Sequence, residues 1–248
     1  MKQKALPIIA GIAGISVVAL LFAFKTISEK KSEINARAIT GRETILAQQA
    51  KSSKYDLGKL LAQNKLIAVN REVSISPDKT HSAVKVHEKE GEGVVWLKEV
   101  KFSTGTIDLD FKGKDVLQKS FIGIAFHGAD DKTFDGIYFR PFNFKTPDPV
   151  RHIHAVQYIS HPDFHWKKLR DEKNGLYEKA VTPEPDPNNW FHARIEVGEK
   201  EVKVFVNNSA KPTLVVNKLN NRKFGTIGLW TGEGSGGEFA NLTIVSND

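Results

Sequence analysis

The sequence contains no cysteine among its 248 residues. This absence excludes disulfide bonds, thiolate metal sites, a cysteine nucleophile and a lipid-modified N-terminal cysteine. It does not identify the compartment, because many exported proteins also lack cysteine. The chemistry of any functional site must therefore come from oxygen, nitrogen and aromatic groups.

A basic excess is also missing from most of the chain, although the net charge is +7. Residues 1–64 hold ten Lys and Arg against four Asp and Glu, whereas residues 65–248 hold 26 against 25. A protein that binds phosphate backbones concentrates positive charge on its folded part. We therefore predict that the chain binds no nucleic acid.

A long run without charge covers residues 5–24, directly after the basic tip with Lys2 and Lys4. At about 1.5 Å per residue a helix of this length spans the roughly 30 Å hydrocarbon core of a membrane. Leu21 stands where a cleavage site needs a small residue, so an uncleaved anchor is favoured over a cleaved signal. The basic tip predicts that the rest lies on the extracytoplasmic side, periplasmic or extracellular.

Residues 25–64 are polar and have a helix-forming composition, which predicts a helical stalk or linker. Within this segment Leu57, Leu60 and Leu61 predict a short helix that packs on the following domain. A coiled coil is the alternative, but sustained heptads are missing.

Residues 65–248 form short runs rich in Val, Ile, Phe and Thr that are separated by turn residues. Thirteen such runs, with no alternating helices, predict one all-β domain, a two-sheet antiparallel sandwich of jelly-roll type. The predicted strands cover residues 66–69, 72–76, 82–87, 94–98, 105–111, 121–128, 136–140, 154–160, 190–197, 202–207, 213–216, 225–231 and 238–245. The connection 161–189 is too long for a simple turn, so we predict a lid or side wall with a short helix over residues 162–171.

Several predicted strands carry apolar side chains on one face and aromatic or hydrogen-bonding side chains on the other. Aromatic rings cover the apolar face of a pyranose, and planar Arg and Gln groups bind hydroxyls in pairs. This pattern predicts a sugar-binding surface. Alternatively, the arginines pair with carboxylates and hold strands together. The residues ranked first as ligand contacts are Tyr138, Arg140, Gln157, His192 and Arg194.

Three further residues are candidates for the same surface. Trp166 and Arg170 stand four apart on the predicted helix, so they share a face and can form an aromatic-plus-cation wall. Trp166 is equally well explained as a staple that fastens the long connection to the sheet. Trp230 is either a stacking platform or a plug at the sheet edge.

The segments GIAFHGADDKTFDGIYFRPFNF, HAVQYISHPDFHWKKLR, YEKAV, NNWFHARIEV and GTIGLWTGEGSGGEFANLTI carry a resemblance to a known family. Over residues 102–245 the chain resembles the concanavalin A-like lectin/glucanase superfamily, and within it the 3-keto-disaccharide hydrolase-like branch. The resemblance implies a curved jelly roll with a carbohydrate site on its concave sheet. It leaves enzyme activity open, because members include both glycoside-active enzymes and sugar-binding domains.

Catalytic residues are not identified by the sequence. Related glucanases carry a Glu-x-Asp-x-x-Glu motif, whereas the segment that begins at Asp108 and Asp110 lacks both glutamates, and these aspartates are predicted to be exposed on an edge strand. The resemblance to enzymes that act on 3-keto sugars implies a histidine base, for which His127 and His192 are candidates. No metal or other cofactor is predicted, because the spaced histidines of residues 161–165 lack a third ligand.

The sequence therefore favours a carbohydrate-recognising β-sandwich that is exported and anchored in the membrane through residues 5–24. The alternative is a glycoside-active enzyme, a hydrolase or eliminase that acts on a disaccharide such as a 3-keto sugar. The third hypothesis is a structural module whose polar face binds another protein.

Overall fold

The computed structural model describes residues 30, 51–78 and 81–247. Over these residues the chain forms two antiparallel sheets that pack as a sandwich, as the run of short β segments predicts. The strands are β1 (Lys51–Tyr55), β2 (Leu66–Val69), β3 (Val73–Ile75), β4 (Val84–Val86), β5 (Gly93–Phe102), β6 (Gly105–Lys112), β7 (Ile122–Asp130), β8 (Thr133–Phe139), β9 (Val156–Ser160), β10 (Glu178–Lys179), β11 (Trp190–Val197), β12 (Glu201–Val206), β13 (Leu214–Asn217), β14 (Gly225–Thr231) and β15 (Gly237–Ser246).

The two sheets differ in size and strand order. The eight-stranded sheet runs β13-β12-β11-β6-β15-β4-β3, and β1 also pairs with β15. The seven-stranded sheet runs β10-β9-β8-β7-β14-β5-β2. Strand β6 lies between β11 and β15, so the expectation that Asp108 and Asp110 occupy an edge strand is wrong.

All thirteen predicted strands are present, with ends that shift by a few residues, and two further strands were not predicted. Strand β1 lies inside the segment that was expected to be a helical stalk, and its five residues pair with Leu242–Ser246 of β15. Its sequence KSSKY is polar, and only the pairing with a strand far along the chain makes it extended. Strand β10 is two residues long and depends in the same way on pairing with β9.

The core lies between the sheets, where each strand places every second side chain. Phe111 of β6 is its centre, with ring centroids 5.4 Å from Phe139, 5.5 Å from Phe191 and 5.7 Å from Phe239. These four rings come from both sheets and are buried. Stacked, tilted and edge-on contacts of this kind add to the stability that burial alone gives.

A short helix, α1 (Leu57–Ala62), follows β1 and packs on the sandwich as predicted. The Asp56 side chain caps it by accepting a 2.9 Å hydrogen bond from the Lys59 backbone N–H. Leu57 is fully buried in the core, and Leu60 and Leu61 pack against it. Among the described residues no helix is both long and apolar enough to cross a membrane. The apolar run 5–24 lies outside the described residues.

The long connection after β9 contains α3 (Trp166–Lys173); the shorter α2 (Pro149–His152) precedes β9, and a 3-10 turn covers Pro141–Asn143. Helix α3 begins four residues later than predicted. The reason is that Ser160 and Phe164 exchange two backbone hydrogen bonds, so the intervening residues form a turn. Leu169 of α3 is buried against the outer face of the seven-stranded sheet. The connection therefore forms a wall over that face.

A buried carboxylate, Asp135 of β8, ties one end of the sandwich together. It accepts hydrogen bonds from Tyr158 Oη at 2.8 Å, Arg222 Nη2 at 3.0 Å and Asn220 Nδ2, and its other oxygen lies 3.2 Å from His127 Nδ1. Burial acts to raise the pKa of Asp135, but the hydrogen bonds and the guanidinium charge outweigh it and hold the pKa below its ordinary value. This network fastens the 218–224 loop to β8 and β9.

We expect Asp135→Asn to lower the free energy of unfolding by about 3–5 kcal/mol at neutral pH, because Arg222 then loses a buried charged partner. The contribution of a carboxylate with a lowered pKa is complete above its unfolded value of about 3.9 and is lost as pH falls through the native value. Urea unfolding of the full chain is measured from about pH 7 to about pH 3. The difference in the free energy of unfolding between Asp135→Asn and the wild type should become smaller as the pH falls. The exposed Asp163→Asn is the control, and equal stability of all three proteins would contradict the account.

Candidate functional site

One row of paired residues crosses all seven strands on the outer face of the seven-stranded sheet. Each member is the cross-strand partner of the next, so their side chains point the same way. The row begins with a carboxylate and an amide, continues with two aromatic rings around a glycine, and ends with two valines. In order from β10 to β2 it is Glu178, Gln157, Tyr138, Gly123, Trp230, Val94 and Val69.

Gly123 allows the two rings of this row to meet. A Cβ at this position would lie 2.6 Å from Tyr138 Cβ and 2.3 Å from a backbone oxygen, so no larger residue fits. With no side chain between them, the rings of Tyr138 and Trp230 approach to 5.0 Å between centroids, tilted by 50°. The two rings form a continuous aromatic floor that is buried, since 2% of Tyr138 and 4% of Trp230 are exposed.

Arg140 lies at the polar end of this floor and is nearly fully buried, with 4% of its surface exposed. Its guanidinium donates to the His154 carbonyl at 2.8 Å, to Glu178 at 3.3 Å and to the side chains of Tyr138 and Gln157. Tyr138 Oη in turn donates to Gln157 Oε1 at 2.6 Å, and burial raises the pKa of Tyr138 to about 12. Arg140 therefore positions its neighbours, in agreement with the alternative that it pairs with a carboxylate and holds strands together.

Glu178 is the point where sheet and wall are joined. Its side chain is 2% exposed, accepts hydrogen bonds from Arg170 Nε at 3.1 Å and Nη2 at 2.9 Å, and lies 2.8 Å from His154 Nδ1. Burial acts to raise the pKa of Glu178, but the bonds from Arg170 and the charge of Arg140 bring it below its ordinary value. The same bonds raise the pKa of Arg170, so its positive charge is maintained.

Trp166 and Arg170 are two residues of the wall that solvent reaches. Trp166 is 44% exposed, and the Arg170 guanidinium carbon lies 5.3 Å from the centroid of its ring. The Trp166 carbonyl accepts a 3.4 Å hydrogen bond from Gln157 Nε2, which ties α3 to the row across the sheet. The predicted aromatic-plus-cation pair is therefore present, and its arginine is held by a buried carboxylate.

A second group of charged residues lies on the opposite side of the floor. Arg71 is 6% exposed and donates to Thr231 Oγ1 at 2.6 Å and to the carbonyls of Gly91 and Gly232 at 2.7 and 2.8 Å. These bonds fasten the 90–93 loop to the end of β14. The loop presents Glu92, whose carboxylate lies 3.8 Å from His161 Nε2.

The two members of this contact have opposite pKa shifts. Surrounding protein atoms raise the pKa of Glu92 although 40% of its side chain is accessible; Arg71 and the Trp230 indole oppose the rise and Glu233 adds to it. Burial lowers the pKa of His161 to about 4, with the charge of Arg222 contributing. His161 is therefore neutral at physiological pH.

The structure divides the predicted contacts among three places. Tyr138, Arg140, Gln157, Trp166, Arg170 and Trp230 lie together on or beside the outer face of the seven-stranded sheet. His192 and Arg194 belong to β11 and lie on the outer face of the eight-stranded sheet, so they do not complete the same site. His127 has no exposed surface and lies in the core, between Asp135 and the Ser103 carbonyl.

His192 lies between two aspartates on its own sheet. Its Nδ1 is 2.8 Å from Asp110 and its Nε2 is 3.2 Å from Asp108, and these bonds raise the pKa of His192 to about 9. A protonated imidazole with both nitrogens bonded is a poor general base. The Arg194 guanidinium carbon lies 4.5 Å from the centroid of the Phe205 ring, and its Nε lies 3.5 Å from Glu196. The Arg194 side chain is exposed to solvent.

Sequence reasoning missed Glu92 and Arg71. Neither stands in a periodic run, and the hydrogen-bond partner of Arg71, Thr231, is 160 residues away along the chain. The only local signal is the pair of glycines that flanks Glu92, which indicates a turn.

Comparison with known proteins identifies the fold and no family. No family model and no curated protein sequence matches the chain. A carbohydrate-binding module, CBM66, from Bacillus subtilis superposes with a TM-score of 0.52 at 14% identity, covering 73% of this chain and 95% of that one. A protein of unknown function with a galectin-like fold, also from Bacillus subtilis, gives 0.52 at 12% identity, covering 78% and 94%. The chain therefore shares its β-sandwich fold with these structures, one of which is described as galectin-like.

We expect Arg140→Ala to lower the free energy of unfolding by about 3–5 kcal/mol, because it leaves Glu178 buried without one of its cations. The exposed Arg194→Ala should change stability by less than about 1 kcal/mol. Urea unfolding of both variants of the full chain, followed by near-ultraviolet circular dichroism, measures the difference. An Arg140→Ala protein as stable as the wild type would show that this guanidinium is not structural.

Proposed function

We propose that the protein recognises carbohydrate, and that the outer face of the seven-stranded sheet is its binding surface. The observation that carries this proposal is the Trp166–Arg170 pair held by Glu178. A half-exposed indole offers a flat apolar surface for a sugar ring, and the arginine beside it offers hydroxyl-binding donors in a plane. Two of the donors of Arg170 are used by Glu178, which fixes the direction of the remaining ones.

The rigidity of this pair supports the proposal. Holding a side chain in its bound geometry before the ligand arrives reduces the entropy that binding must overcome. Helix α3 is anchored by Leu169 in the cluster below it, by the Trp166 carbonyl and by the Arg170–Glu178 bonds. Arg140 is buried, whereas 32% of the Arg170 side chain is exposed, so part of Arg170 is accessible to a ligand.

The fold supports the same class of ligand. One of the proteins that share it is named as a carbohydrate-binding module. Fold alone does not determine function, which is determined by the residues of the site. The outer face of the eight-stranded sheet serves as a comparison for this site. Its His192 and Arg194 are paired with Asp108, Asp110 and Glu196 and so are less available to a ligand.

We expect Trp166→Ala and Arg170→Ala each to weaken glycan binding about tenfold or more, equivalent to about 1.4 kcal/mol, because each removes one half of the proposed contact. The measurement is a glycan array of the full chain, followed by calorimetry on the glycans that bind. Arg194→Ala on the other sheet is the matched control and should bind as the wild type does. No bound glycan, or loss only in Arg194→Ala, would refute the proposal, and the former result would favour the structural protein-interaction module.

Glycoside chemistry is the second candidate function, and one observation favours it. Glu92 has a raised pKa and lies 3.8 Å from the neutral His161, and a carboxyl group with a perturbed pKa is a candidate acid or base. The test is product formation from ordinary and 3-keto disaccharides, with Glu92→Gln as the inactive control. Binding without turnover is the result that the leading proposal expects; turnover abolished by Glu92→Gln would establish the enzyme instead.

Export and membrane anchoring belong to the proposal as well, and they are supported by the apolar run 5–24 behind a basic tip. Fractionation of cells that produce the full chain should place it in the membrane fraction, with residues 65–248 open to protease added from outside. Recovery in the soluble cytoplasmic fraction would contradict this part.

A further inference from the structure

We propose that the saccharide which binds beside Trp166 is acidic, and that Arg170 binds its anionic group. This rests on the proposed function and adds to it the charge of the ligand. Two features of the structure lead to it: the charge balance of the cluster around Glu178, and the donors of Arg170 that Glu178 does not use.

The cluster contains two guanidinium groups and one carboxylate. Arg140 and Arg170 each form an ion pair with Glu178, and among the described residues no other carboxylate pairs with either guanidinium. The other acceptors of Arg140 are a backbone carbonyl and two neutral side-chain oxygens. His154 Nδ1 also lies 2.8 Å from Glu178, but burial lowers the pKa of His154, so it adds no positive charge at neutral pH. The cluster therefore carries one net positive charge.

The surrounding wall does not supply the missing negative charge. Helix α3 carries four cationic side chains and two acidic ones. Asp171, the acidic neighbour of Arg170 along the chain, is 57% exposed and pairs with Lys167 at 2.5 Å. The carbonyls at the C-terminal end of α3 contribute about half a negative charge at most. A surplus of positive charge therefore remains, and an anion beside Arg170 would be stabilised by it.

Arg170 has donors that a ligand can reach. Of the N–H groups of its guanidinium, Glu178 takes one on Nε and one on Nη2, which leaves the two on Nη1 and the second on Nη2. Nη1 makes no hydrogen bond to a described residue and is not buried. The Arg170 side chain as a whole is 32% exposed. The free side of the guanidinium is therefore open to solvent.

The geometry of these free donors fits an anionic group that stands beside hydroxyls. Nη1 and Nη2 form a planar fork that can bind two oxygens of one anion, and such charge-assisted bonds are about twice as strong as neutral ones. The anion occupies two of the free N–H groups, and the remaining one is left for a neighbouring hydroxyl. A uronate or a sulfated sugar offers both groups while its ring lies against Trp166.

The test compares matched acidic and neutral saccharides. Calorimetry at about pH 7, where the acids are ionised, measures binding of the full chain to trisaccharides of galacturonate, glucuronate and mannuronate and to their uncharged methyl esters. A sulfated galactose trisaccharide is compared with its unsulfated parent. We expect at least one acid to bind about tenfold more tightly than its neutral counterpart. The pair that shows this preference identifies the anionic group as a carboxylate or a sulfate.

The outcomes separate the charge of the ligand from the proposed function. If neutral saccharides bind as tightly as the acids, and binding is weakened by Trp166→Ala, recognition of charge is overturned and the proposed function stands. Absence of binding by every saccharide, including the glycans of the array, overturns both.

Variants of α3 test whether Arg170 is the residue that binds the anionic group. We expect Arg170→Gln to abolish the roughly tenfold preference for the acid, because the amide lacks the charge and the fork. Lys167→Gln removes the same charge from a residue that is 63% exposed on the same helix, and it should keep the preference. A folded Arg170→Gln protein that still prefers the acid would overturn the assignment.

The salt dependence of the wild type provides a test that does not depend on the folding of a variant. Raising the NaCl concentration from about 0.1 M to about 1 M shortens the screening length from about 10 Å to about 3 Å. We expect the affinity for the acid to fall several-fold while the affinity for its neutral counterpart changes little. Equal salt dependence of the two ligands would show that charge is not recognised.

Discussion

The architecture of the site depends on neutralising one buried carboxylate, Glu178. An unpaired charge at a position that is 2% exposed would be strongly unfavourable, so cations must be held close to it. Arg140 comes from the end of β8 and Arg170 from α3, and both bond Glu178. Because these groups belong to separate segments, the requirement for charge balance fixes the wall helix relative to the sheet.

The rest of the surface follows from this constraint. With Arg140 committed to Glu178, its remaining donors hold Tyr138 and Gln157 in the row across the sheet, and the ring of Tyr138 meets Trp230 over Gly123. Side chains that are held in place before a ligand arrives lose less entropy when it binds. The buried groups therefore position the surface, and only the groups at its margins are available to a ligand.

Sequence patterns predicted the sandwich and part of the site. Alternation in runs such as 190–197 identified the strands, and the spacing of Trp166 and Arg170 identified their shared helix face. Alternation states which side of a strand a residue faces, but it does not state which sheet the strand joins. His192 was therefore grouped with Tyr138 although its strand belongs to the other sheet. The position of Glu92 depends on Arg71, whose partners Thr231 and Gly232 lie far away along the chain. No local sequence pattern predicts such distant contacts.

A crystal structure of the full chain with the best-binding glycan of the array is the most direct test of the proposal that carbohydrate binds the outer face of the seven-stranded sheet. We expect a sugar ring against the exposed indole of Trp166, with its hydroxyls bonded to Arg170. A glycan bound on the outer face of the eight-stranded sheet, beside His192 and Arg194, would contradict it.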